Sequence, residues 1–299
     1  MLQDYSWPVV DLVGISPGSR LCVMAGMHVN ELSSIEAAIR LQSRFDPGAI
    51  RGIISIIPTV NVPGLYQHSE YVCPVDGKNI NFTFPGRPDG SFSEVLCHSL
   101  LSEWASDAAA LVDMHGGDLR ENVAKFAVFQ ETGDPALDRR RAEVARCFDA
   151  DLLVGLDPSH LSNPGRSCTA FAARGGLATL VEAGANGLID EASVKFHMDG
   201  VLNLARLLGI IEGPSSPATR RQLLCRRYLW IETPATGMGY VFVEPGDHVE
   251  KGAPLAEVRD VFGNVEERIT APEEAYVLWR MTQPFLQRGD FILGLATPS

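Results

Sequence analysis

Short apolar runs alternating with amphipathic stretches are the feature that most constrains this chain. Residues 21–25, 53–57, 111–114, 126–129 and 177–181 are apolar runs of strand length, whereas 31–45, 93–110, 135–148 and 192–208 place apolar residues at helical spacing. The two periods in alternation imply an α/β domain with a largely parallel or mixed sheet. In such sheets ligands sit beyond the carboxyl ends of the strands. His28 lies just past the first run, His115 directly after 111–114, and Glu182 directly after 177–181. Three separately read strands therefore deliver polar side chains to one rim.

Gly26-Met27-His28-Val29-Asn30-Glu31 sets an imidazole and a carboxylate three residues apart, and Val112-Asp113-Met114-His115 adds a second imidazole. Two imidazoles and one carboxylate are a ligand set that leaves zinc an open coordination position for water. Such a site keeps net positive charge and favours catalysis, whereas an all-thiolate site cancels that charge. H-x-x-E alone is frequent by chance, and a lone histidine more often packs or faces solvent than binds a metal. The D-x-H and E-A-G strand ends supply the additional signal. One Zn2+ per chain on His28, Glu31 and His115 is the expectation, with Glu182 as general base on the activated water. Asp113, on the same face of an extended strand as His115, reads either as the partner that orients the imidazole or as a strand-end cap. His98, His160, His197 and His248 are expected on the surface or in packing. His68, in the long loop between Pro63 and Asp76, is expected to line the pocket.

A formal net charge of -12 and a pI near 5.0 weigh against nucleic acid or an anionic membrane as partner, since both reward clustered Lys and Arg. A small molecule is the expected partner, and a homo-oligomer is compatible with the chain. Six cysteines are scattered without a C-x-x-C pair, so they signal neither a zinc knuckle nor a disulfide framework. The first residues lack a signal-peptide pattern, and no uncharged apolar run reaches membrane-spanning length; reducing cytoplasm is the expected compartment.

A Pro/Ser segment at 213–217 marks a change of character, and beyond Tyr228 short apolar stretches are punctuated by Gly and Pro. The expected division is 1–213 as the catalytic domain and 214–299 as a small all-β domain that covers or shapes the cleft. Residues 244–252 resemble the turn of biotinyl and lipoyl domains, but 270–275 offers no lysine to modify, so a structural part is the better reading.

Taken in order, G-M-H-x-N-E, D-G-K-N-I-N-F-T-F-P-G, V-D-M-H-G-G and L-V-E-A-G resemble the motifs of the succinylglutamate desuccinylase and aspartoacylase family, within the zinc-carboxypeptidase-like superfamily. The resemblance spans residues about 20 to 210, and 237–295 is similar to the small barrel-sandwich-like β domain that follows them. It implies a three-layer zinc-carboxypeptidase-like α/β domain with a mixed sheet. It also implies His28, Glu31 and His115 as zinc ligands, Glu182 as general base and acid, and Asn81 as a substrate-binding amide. Two departures bear on the substrate. The family's arginine after Asn81 is replaced by Phe82, and a second arginine aligns with Tyr71. Arg87, Arg120, Arg166 and Arg174 are the candidates to replace them; failing these, Phe82 favours an apolar or neutral substrate group.

The leading expectation is a zinc-dependent amidohydrolase that removes the acyl group from a small N-acylated amino acid or amine. Two alternatives stay open: a peptidase acting on short peptides, and a metal-binding or ligand-binding protein that has lost turnover with its arginines.

Overall fold

The computed structural model describes residues 2–162, 164–216 and 222–299. The chain opens with β1 (Val10–Val13), β2 (Ser16–Ala25), α1 (Leu32–Leu41), β3 (Arg51–Ile57), α2 (Val62–Gln67) and α3 (Phe92–Ser99). There follow β4 (Ala110–His115), β5 (Glu121–Gln130), α4 (Pro135–Ala145), β6 (Leu152–Leu156), α5 (Ser167–Ala173), β7 (Leu177–Ala185) and α6 (Glu191–Leu207). The remainder is β: β8 (Leu223–Glu232), β9 (Gly237–Val241), β10 (His248–Val249), β11 (Pro254–Arg259), β12 (Val265–Thr270), β13 (Ala275–Met281), β14 (Phe285–Leu286) and β15 (Phe291–Pro298). The expected linker lies partly outside the described residues, which resume at 222.

Eleven strands form one mixed sheet in the order β1-β3-β2-β4-β7-β5-β6-β8-β15-β13-β10, and β12-β11-β9-β14 form a second, four-stranded sheet. β2, β4 and β7 run parallel in register, Ala25 beside Met114 and Met114 beside Val181, so their carboxyl ends share one edge. Alternate side chains of these strands enter two cores. Val23, Val112 and Val181 pack with α1, α4 and α6, whereas Met24, Leu111 and Leu180 pack with α3 and α5. The strands thus bury both faces, which explains their continuous apolar character. β13 also pairs antiparallel with β5, which closes β5, β6, β8, β15 and β13 into a ring.

The helix expected over 93–110 is shorter than its pattern. α3 starts at a Ser91/Glu94 capping box, passes into a π-helical turn at Leu100–Trp104, and yields at Ala110 to β4. Ala110, Leu111 and Val112 are helix-compatible residues, but burial between β2 and β7 outweighs that local preference. All six cysteines are free and buried. Among the described residues no helix is long and apolar enough to cross a membrane.

Candidate active site

The site grows from the shared edge of β2, β4 and β7. Gly26 ends β2 at φ +67, where an added Cβ would lie 3.0 Å from Thr59 Cα; only a glycine makes this turn without strain. The turn places His28 and then Glu31 at the start of α1. His115 ends β4 and is the register partner of Glu182 on β7, so the two side chains project side by side from neighbouring strands. Gly116 follows with its Cα facing the β7 backbone: a Cβ there would sit 2.4 Å from Ala183 O.

His28, Glu31 and His115 are 1–3% exposed, and their ligand atoms all lie within 4.8 Å of one another. His28 Nδ1 is 2.6 Å from Glu31 Oε1, and His115 Nδ1 is 3.0 Å from Glu31 Oε2. The opposite ring nitrogens face acceptors. Asn79 Oδ1 accepts the Asn81 backbone N–H at 2.9 Å, which fixes its amide orientation; His28 Nε2, 3.0 Å away, therefore carries the proton and turns Nδ1 to the centre. His115 Nε2 stands 3.1 Å from Asp113 Oδ1, and Asp113 Oδ2 accepts from Ser167 Oγ at 2.5 Å. Asp113 thus faces the ligand imidazole and at the same time holds the start of α5.

Glu31 Oε2 and His115 Nδ1 are buried without a hydrogen bond of good geometry. Orphaned groups of this kind are uncommon in native interiors, and a cation between them would satisfy both. Burial opposes the charge on Glu31, but His28 and His115 outweigh it and hold the carboxyl down at about 2. Burial likewise opposes a charge on His115, and Asp113 and Glu31 outweigh it, raising its proton affinity well above the usual imidazole value. The electrostatics favour positive charge at this point, and two imidazoles with one carboxylate suit zinc. The residues fit a divalent metal.

Glu182 enters the same inner pocket, a cavity of about 50 Å³ floored by Phe126, Val128 and Leu180. Burial pushes its carboxyl well above the usual range, opposed by His115 and reinforced by the negative charges of Glu31, Glu121 and Asp113. A vestibule of about 760 Å³ shares Tyr71, Asn79, Phe82, Glu121, Trp230 and Trp279 with the inner pocket.

Tyr71 and Phe82, expected from the motif resemblance to stand where two family arginines would, both line the cavity. The Tyr71 ring stacks on His28 at 4.4 Å between centroids, and its hydroxyl donates to Glu121 Oε1 at 3.2 Å. Phe82 lies under the Arg166 guanidinium, whose carbon is 5.4 Å from the ring centroid and 5.9 Å from that of Tyr228. Asn81 lines the cavity as well. Of the four arginines considered, Arg166 lines the inner pocket, and Arg120 lines the vestibule but is bound to Glu70. Arg87 is exposed beside Asp89 at 3.3 Å, away from the cavity, and Arg174 caps the far end of α5. The loop between Pro63 and Asp76 does wall the cavity, through Glu70 and Tyr71, but His68 is exposed at the end of α2.

The sequence pattern gave no notice of Asn79, Glu121, Tyr228, Trp230 or Trp279. The i, i+2 spacing of Tyr228 and Trp230 does put both on one strand face, but nothing local says which face meets the site.

Residues 17–208 match the model of the succinylglutamate desuccinylase/aspartoacylase catalytic domain. The N-alpha-acetyl-L-2,4-diaminobutyric acid deacetylase of Halomonas elongata is 26% identical over 258 residues, covering 84% of this chain and 74% of that protein. Two solved structures share the fold. A succinylglutamate desuccinylase/aspartoacylase from Rhodobacter sphaeroides superposes with a TM-score of 0.87 at 24% identity, over 99% of this chain and 90% of that one. The product-bound ectoine utilization protein EutE (DoeB) of Ruegeria pomeroyi gives 0.85 at 22% identity, over 97% and 88%. With the family model matched across most of the chain by residues that converge in space, this protein belongs to the succinylglutamate desuccinylase/aspartoacylase family.

Proposed function

We propose that the chain is a zinc-dependent deacylase that hydrolyses the amide of a small N-acylated amino acid. The observation that carries this reading is the convergence of His28, Glu31 and His115 within 4.8 Å, at a cavity lined by His28, Glu31 and Glu182, the register partner of His115. The name of the Halomonas relative, a deacetylase of an acetylated amino acid, supports it. His28 Nδ1, His115 Nδ1 and Glu31 would hold the ion, which when bound polarises a carbonyl and lowers the pKa of water.

Glu182 takes the proton from the attacking water and returns it to the leaving nitrogen, giving a free amine and a carboxylate. Its raised proton affinity suits the return of the proton, and the charge of a cation held beside it would favour the ionised form that takes the proton first. Arg166, the guanidinium in the inner pocket, binds the substrate carboxylate in place of the missing family arginines, and Phe82 supports it from below. Asn81 contributes a polar side chain to the same pocket, and Phe126, Val128 and Leu180 give it an apolar face. Tyr228, Trp230 and Trp279 bring the C-terminal strands into the cavity wall, which supports reading 214–299 as the region that shapes the cleft.

The test is a pair of variants measured for metal and for acyl release. Glu182→Gln should keep about one zinc per chain by elemental analysis and lose roughly 10²- to 10⁴-fold in turnover. His115→Ala should lose the metal itself. Full turnover in the first, or full zinc in the second, rejects the assignment.

A further inference from the structure

The cavity wall around Glu121 is rich in acid and poor in base. Glu121 borders both the inner pocket and the vestibule. Its side chain accepts from the Tyr71 hydroxyl and feels the Asp118 backbone N–H, neutral donors that bring no balancing positive charge. Asp118 stands beside it in the vestibule, and Arg120, the one basic residue lining that space, is already bound to Glu70. Burial, with Asp118 and Glu31 adding to it, pushes the Glu121 carboxyl up to about 8, as befits an acid that lacks a cation.

A second observation comes from a different element. Asn81 is 8% exposed and lines the inner pocket, and its Oδ1 has no donor among the described residues. A buried acceptor facing a cavity asks for an N–H from a ligand. Tyr71, Trp230 and Trp279 add aromatic faces to the wall, and such faces attract a partly desolvated cation. An ammonium group supplies what all of these lack: positive charge, several N–H donors and a size that fits between rings. Arg166 in the same pocket fits a carboxylate, so the cavity offers complements to both charges of an amino acid that carries an additional amine.

We propose that this wall binds a second, protonated amine of the substrate, and that Glu121 is the residue that selects N-acylated diamino acids over N-acylated monoamino acids. The inference rests on the deacylase reading above, and its test separates the two. Zinc-loaded protein is assayed with Nα-acetyl-2,4-diaminobutyrate and N-acetyl-2-aminobutyrate, which share acyl group, carboxylate and carbon chain and differ in the distal ammonium. The loss of one charge-assisted contact corresponds to roughly a tenfold to hundredfold change. The wild-type ratio of kcat/KM should favour the diamino substrate by that factor, and Glu121→Gln should bring the ratio toward one. Because it is a ratio, it does not depend on how much of the variant folds; Glu121→Asp, which keeps the charge but withdraws it, should fall between. A wild-type ratio near one, or a ratio unmoved in Glu121→Gln, overturns the proposal. If neither compound nor its formyl or succinyl counterpart is hydrolysed, the deacylase reading fails. Calorimetry with free 2,4-diaminobutyrate and 2-aminobutyrate then decides: at least tenfold tighter binding of the diamine, lost in Glu121→Gln, sustains the cation wall, and equal binding ends it.

Discussion

His197 gives a prediction whose size follows directly from its surroundings. It lies within α6, fully buried, and neither ring nitrogen has a hydrogen-bond partner among the described residues. Burial holds its imidazole down at about 3, and the backbone of Ala183 and His115 recovers only part of that shift. In the unfolded chain the group titrates near ~6.5. Between those two values the unfolded state binds a proton that the folded state refuses, so the stabilising contribution is complete above about pH 6.5 and is lost as the pH falls toward about 3. At about pH 5 the loss amounts to about 2 kcal/mol. His197→Leu, of similar volume, removes the titration. Urea unfolding of the metal-free wild type and variant, at about pH 7.5 and about pH 5, should show the wild type losing about 2 kcal/mol more across the interval. Glu182, Glu121 and Asp118, whose carboxyls are raised, titrate in the opposite sense but are common to both proteins and cancel in the difference. Equal pH slopes for the two proteins would refute the reasoning.

The remaining predictions concern the site. Arg166→Met should lower kcat/KM for N-acetyl amino acids by roughly tenfold to a hundredfold relative to an N-acetyl amine lacking the carboxylate; an unaltered ratio would mean that the guanidinium does not grip the substrate. Asp113→Asn, which weakens the acceptor facing His115 Nε2, should cost roughly 10- to 100-fold in zinc affinity by chelator competition. Unchanged affinity would reduce Asp113 to the strand-end cap that its spacing also allowed.

Much of this site was legible before folding, and for a reason that can be stated residue by residue. His28, His115 and Glu182 each follow an apolar run, and β2, β4 and β7 do run parallel and end together, although the equally apolar β5 pairs antiparallel with β7. Asp113 could be placed on the His115 face because side chains along a strand alternate. Which arginine lines the inner pocket was not legible. Four arginines were equivalent on paper, and only the packing of α5, whose Ser167 is hydrogen-bonded to Asp113, brings Arg166 into the pocket while Arg87 stays with Asp89 on the surface.

The amino-acid order alone therefore determined the alternation of elements and the histidine and carboxylate set that closes the apolar runs, because both depend on periods and neighbours within a few residues. Tertiary structure decided what surrounds that set. Trp279 reaches the site and Met281 its vestibule because β13 pairs with Val123 and Glu121 of β5, some 160 residues earlier, and Tyr228 and Trp230 arrive through β8 in the same closed ring. Such pairings are chosen by the burial and hydrogen bonding of distant backbones, which no local pattern in the chain encodes.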